Sequence, residues 1–307
     1  MRMLKALAAG VAALAMLAAT TPARAADIPE SSDPIKIAIN EWTGQHIVSY
    51  VSGEILERMG YNVEYVTASA YPTHLALAEG ELHLAMEQWS TNVGDYLPGL
   101  MEEGKVEDLG DLGVKGYEGW LYPAHVADIC PGLPAWDAFM DCAEQFGTAE
   151  TFPNGRIVAY PAEWNTRIKD IVEERGMPFE YVPAGSEGAL VAELNAAVTR
   201  KSPLVMEFWG PHWVLFKHDV GWVELPEDLA QKWGYTTARL FKVGWPEIAN
   251  KWPAAHKVMK SFQFETSAQE ELMEAIDFQG LDAQEVCKKW VDENEAVWKP
   301  WVDEATM

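Results

Sequence analysis

One pattern, repeated four times, constrains this chain more than any other feature: a short apolar run, then a glutamate, then a tryptophan within two residues. It occurs as Ile35-Lys36-Ile37-Ala38-Ile39-Asn40-Glu41-Trp42 and as Leu82-His83-Leu84-Ala85-Met86-Glu87-Gln88-Trp89. It returns as Arg156-Ile157-Val158-Ala159-Tyr160-Pro161-Ala162-Glu163-Trp164 and as Pro203-Leu204-Val205-Met206-Glu207-Phe208-Trp209. Each run reads as a buried strand, and three of the four lead into a helix start. In open α/β sheets, ligands sit beyond the carboxyl ends of the strands. Four indoles at four such ends therefore converge on one cleft.

The chain ahead of the first strand reads as a leader. Met1-Arg2-Met3-Leu4-Lys5 is a basic start, Ala6 to Ala19 is an apolar core too short to span a bilayer well, and Ala23-Arg24-Ala25 fits a small-x-small cleavage site. Cleavage after Ala25 leaves residues 26–307 as a soluble, exported, periplasmic protein. The formal net charge of −24 becomes more negative still once Arg2, Lys5 and Arg24 are removed. Such a field repels nucleic acid and anionic lipid, and neither is expected as a partner. Of the three cysteines, Cys130 and Cys142 bracket a turn and a short helix. In an oxidising compartment they suit a disulfide stabilising by about 3 kcal/mol. Metal binding is the weaker reading, because no CxxC or histidine-rich spacing accompanies them. Cys287 reads as a buried apolar residue.

Taken in order, residues 35–101 alternate strand and helix, the signature of a parallel sheet with covering helices. Residues 102–115 are acidic and glycine-rich, and Gly116 to Pro123 reads as an extended crossover. A second strand–helix series starts at Arg156, with Asn165 and Ser186 as helix caps. Val220 to Leu225 reads as one more strand, and residues 228–307 as mostly helical. The expected fold is α/β with two lobes and a cleft between them. Residues 26–115 and 212–307 form the first lobe and 116–211 the second, with hinges near 112–120 and 210–220.

Most of the fourteen tryptophans pack rather than bind. Trp42, Trp89, Trp164 and Trp209 stand apart through their equivalent positions, and Trp120 is added because the crossover faces the cleft. An indole face attracts a cation that has no proton to donate, such as a methylated ammonium group. Glu41, Glu87, Glu163 and Glu207 could instead form a catalytic pair in a secreted hydrolase. No GxSxG, HExxH, P-loop or GxGxxG stretch is present. A binding protein without cofactor or metal is the favoured reading.

Trp209-Gly210-Pro211-His212-Trp213 is the most specific string in the chain. With the strand-end tryptophans, the leader and Trp245-Pro246-Glu247, it resembles the glycine betaine/choline-type substrate-binding proteins of ABC importers. The resemblance implies a two-lobed periplasmic binding protein of the type II kind, monomeric, that closes on its ligand and docks on a membrane permease. It also implies a tryptophan cage for a trimethylammonium or dimethylsulfonium head, at Trp42, Trp89, Trp164 and Trp209, with Trp120 as a further member. The Asn40-Glu41-Trp42-Thr43-Gly44-Gln45 stretch most resembles the branch that binds trimethylamine N-oxide. The oxygen end of such a ligand needs donors: the first amides of the helices after Trp42 and Trp164, the Asn165 side chain, or His212.

Overall fold

Strand β1 (Ile35–Ile39) sets the layering, because Ile35 and Ile37 face one apolar cluster and Ala38 faces another. The computed structural model describes residues 28–307 apart from Thr166, so the leader and its cleavage point lie outside the described residues. Helix α1 (Thr43–Arg58) covers the first face with Ile47, Val48, Val51 and Ile55, then returns the chain to β2 (Val63–Thr67), parallel to β1. Helix α2 (Ala70–Ala78), strand β3 (Leu84–Trp89) and helix α3 (Tyr96–Glu102) follow. Leu77 and Leu97 from the two helices cover the other face. The helix expected directly after Trp89 starts only at Tyr96, since Thr91 and Asn92 first turn to bond the Glu118 carboxylate.

Strand β4 (Glu107–Pro123) runs through both the acidic stretch and the expected crossover. Gly110 and Gly113 adopt φ of +94° and +96° beside shifts of register, so the glycines mark bulges in a long strand rather than a loop. The second parallel series is β5 (Gly155–Ala159), α4 (Arg167–Arg175), β6 (Phe179–Pro183), α5 (Glu187–Arg200) and β7 (Val205–Gly210). Strands β8 (Val220–Trp222) and β9 (Thr237–Gly244) complete a nine-stranded sheet of order β2-β1-β3-β9-β4-β7-β5-β6, with β8 paired to β4. The antiparallel pair β4–β9 joins the two parallel series. Cys130 and Cys142 are disulfide-bonded with their Cα atoms 5.8 Å apart, and Cys287 is a buried thiol.

Two features depart from the sequence pattern. Strand β9 lies where helix is expected, because Arg239 and Lys242 obscure its apolar alternation. The Lys242 amine is buried and donates to the carbonyls of Lys260 and Phe262, and burial lowers its pKa to about 8. The pattern also places residues 212–307 in the first lobe. In the structure β8 pairs with the end of β4, and Val223, Leu229 and Tyr235 pack with Trp120, Phe139 and Ile157. Residues 220–235 thus find their apolar partners in the middle of the chain, and the return to the first series runs along β9.

Candidate ligand-binding site

Trp42 follows β1, Trp89 ends β3, Trp164 follows β5 and Trp209 lies in β7, so all four stand at carboxyl ends of parallel strands. They line one cavity, together with Tyr160, Glu87, Glu118, Tyr71, His74 and Asn92 among others. Trp164 touches Trp42 at 5.7 Å and Trp209 at 5.6 Å between ring centroids, in both cases edge to face. Tyr160 closes the group at 5.7 Å from Trp164 and 5.6 Å from Trp209. Edge-to-face contacts present π faces and ring edges in alternation around a shared space. Trp89 joins through Glu87, whose Oε1 accepts from Trp89 Nε1 at 2.9 Å and Trp42 Nε1 at 2.6 Å. A Cβ at residue 116 would stand 2.5 Å from the Trp89 ring, so Gly116 is what lets that indole lie against β4.

Three expected members lie elsewhere. Trp120 is fully buried in the second cluster, 5.6 Å from Trp136 and 5.9 Å from Tyr235, because it sits two residues further along β4 than the cavity reaches. Asn165 turns its Oδ1 to the Arg167 amide at 3.2 Å and serves the start of α4. His212 is buried against the Trp209 ring, with Nε2 3.1 Å from the Glu187 carboxylate. The first amide of α1, Thr43 N, is likewise taken by Glu187, at 2.8 Å. Tyr160 and Glu118 are the residues that the strand-end pattern misses. Tyr160 stands one position past β5 inside the third motif, and Glu118 sits in the crossover that drew attention to Trp120.

Among the described residues, no lysine or arginine lines the cavity, while two carboxyl groups do. Glu118 is held by Arg167 at 2.7 Å and Asn92 at 3.1 Å. Arg167 also reaches Glu207 at 3.2 Å, and Glu207 in turn accepts from the Tyr160 amide at 3.0 Å. Burial would lower the Arg167 pKa, yet Glu118, Tyr235 and Glu207 hold it above its ordinary value, so the guanidinium stays charged. Burial raises the pKa of Glu207 and of Glu87, with the indole and Gln269 donors opposing it at Glu87. Burial, with Glu118 and Glu207 nearby, also keeps the Tyr160 phenol protonated, and its hydroxyl has no partner among the described residues.

The raised Glu87 pKa has a measurable sign. A folded-state value above that of the unfolded chain contributes stability below the ordinary value of 4.5 that is lost as the pH climbs through the raised value. Glu87→Gln removes the titration. The melting temperature of the native chain minus that of Glu87→Gln is therefore expected to fall as the pH climbs above 4.5 in differential scanning fluorimetry. A constant difference would show that Glu87 stays ionised throughout.

Comparison with known proteins identifies the family. Residues 33–293 match the family model described as the substrate-binding domain of ABC-type glycine betaine transport systems, and the chain belongs to that family. It is 29% identical over 293 residues to the trimethylamine N-oxide-binding protein of Pelagibacter ubique, covering 89% of this chain and 91% of the relative. The fold is shared with the glycine betaine/L-proline-binding protein ProX of Borrelia burgdorferi, at TM-score 0.76 and 20% identity over 88% of this chain and 97% of that one. It is shared also with an ABC-transporter choline-binding protein solved with choline, at TM-score 0.76 and 18% identity over 90% and 93% of the two chains. These are two-lobed binding proteins, and the chain is a substrate-binding protein of a betaine/choline-type ABC transporter rather than an enzyme. The hydrolase alternative is set aside on that ground. Among the described residues, no helix is long and apolar enough to cross a membrane.

Proposed function

We propose that this chain is the periplasmic receptor for a small methylated ammonium compound, trimethylamine N-oxide before glycine betaine or choline. On this reading it is exported by a cleaved signal peptide, acts as a monomer and delivers its ligand to a membrane permease. The observation that carries the reading is the cavity itself: four indoles, two phenols, two carboxyl groups and, among the described residues, no lysine or arginine. A quaternary head has no hydrogen to donate, so its attraction comes from desolvated aromatic faces, at about 0.5–2 kcal/mol each. Glu87 and Glu118 place carboxyl oxygens beside that head, and the Tyr160 hydroxyl, without a partner among the described residues, is a donor for the oxygen of a zwitterion.

Ligand size bounds the affinity. At a ceiling of roughly 1.5 kcal/mol per heavy atom, trimethylamine N-oxide reaches about −7.5 kcal/mol, a dissociation constant of a few micromolar. The 29% identical relative named for trimethylamine N-oxide supports the same choice. The test is a thermal-shift screen of trimethylamine N-oxide, betaine, choline, carnitine and dimethylsulfoniopropionate, followed by calorimetry. The largest stabilisation is expected from trimethylamine N-oxide. Stabilisation by none of the five would overturn the reading.

A further inference from the structure

The seam beside the cage holds a second network, whose own residues do not line the cavity. Helix α1 starts without a cap of its own, since its N-cap residue Trp42 makes no capping side-chain bond. Its first amide would be left without a partner. The partner comes from 144 residues away: Glu187 Oε2 accepts from Thr43 N at 2.8 Å and lies 3.1 Å from Thr43 Oγ1. The other Glu187 oxygen is 3.1 Å from His212 Nε2. Asp277 adds a parallel stitch, accepting from Thr43 Oγ1 at 2.7 Å and from Trp213 Nε1 at 3.0 Å. Thr43 and Asp277 belong to the terminal segments, and Glu187, His212 and Trp213 to the middle of the chain.

We propose that Glu187 is a positioning residue for ligand binding: by capping α1 from the opposite lobe, it forms only when the cage is assembled and holds the cage shut. The proposal rests on the reading that the ligand binds in the cage. Both ends of the network adjoin a cage indole. Trp42 precedes Thr43 in the chain and touches Trp164 across the seam, while His212 packs at 5.2 Å on the Trp209 ring. Separating the lobes breaks the Thr43–Glu187 bonds and the Trp42–Trp164 contact together. A charge-assisted hydrogen bond present only in the closed form multiplies the closed population and divides the apparent dissociation constant by the same factor, about tenfold or more for a buried carboxylate. Glu187 is suited to this role because it heads α5, whose own cap is supplied by Ser186 through the Ala189 amide at 3.1 Å. Its carboxylate is therefore free to serve the other helix.

The test compares the native chain with Glu187→Ala and Glu187→Gln, using trimethylamine N-oxide and betaine as probes. Glu187→Ala is expected to weaken binding at least about tenfold through faster dissociation. Glu187→Gln keeps an acceptor for the Thr43 amide and is expected to lose less, which separates capping from mere filling of space. In the ligand-free proteins, hydrogen exchange at residues 42–46 is expected to be faster in Glu187→Ala. Native affinity together with native exchange in both variants would overturn the proposal. If the native chain binds neither probe, the functional reading fails, and the exchange comparison alone decides the role of Glu187.

Discussion

Trp209→Ala is expected to abolish trimethylamine N-oxide binding in calorimetry while the chain remains folded by circular dichroism. Trp209 is the most connected ring of the cage, in contact with Trp164, Tyr160, Phe208 and His212. Its removal takes away one cation–π face and the edge support of two neighbours. Against a total of about −7.5 kcal/mol for a five-atom ligand, losing roughly 3 kcal/mol moves a micromolar constant toward millimolar, below detection in an ordinary titration. Trp42→Ala should behave alike, because it also leaves Glu87 short of a buried donor. Trp120→Ala is the discriminating control. Its ring lies in the second cluster, so it is expected to lower the melting temperature and leave the affinity of the folded fraction nearly unchanged. Native affinity in Trp209→Ala would remove the cage from consideration.

That control also shows which parts of the site were legible in the sequence. Strand ends are local: an apolar run of the right length followed by a polar residue marks where a strand stops, so the positions of Trp42, Trp89, Trp164 and Trp209 could be read without knowing the partners. Depth along a strand is not local. Glu118 and Trp120 share one face of β4, yet the first reaches the cavity and the second lies in the core, and only the packing of Phe139 and Tyr235 decides between them. Strand β9 was hidden for a related reason. Its buried lysine is tolerable because the carbonyls of Lys260 and Phe262 satisfy the amine, and those partners come from a helix that begins after the strand has ended. The seam was invisible in the same way, since nothing in Thr43 or Glu187 announces a bond spanning 144 residues.

Arg167→Met is expected to cause the largest loss of stability of any single substitution near the cage. Arg167 is the one cation among three buried side chains, bridging Glu118 at 2.7 Å and Glu207 at 3.2 Å, with 7%, 1% and 0% of the respective side chains exposed. It also stacks over the Tyr235 ring at 4.5 Å. Removing a buried counter-ion leaves uncompensated charge and costs about 3–5 kcal/mol. For a chain of this size that is a fall on the order of 10 °C in melting temperature. The variant should also show a pH signature that simple loss of packing lacks. Without the guanidinium, burial raises the Glu207 pKa unopposed by Arg167, so this carboxyl stabilises the fold when protonated and destabilises it as the pH rises through the raised value. The deficit against the native chain should therefore shrink as the pH is lowered from 7 to about 5, and adding Glu207→Gln to the variant should restore part of it at pH 7. Ligand affinity should fall as well, because Glu207 fixes the Tyr160 amide and Glu118 lines the cavity. A deficit independent of pH would mean that Arg167 acts through its aliphatic and stacking contacts.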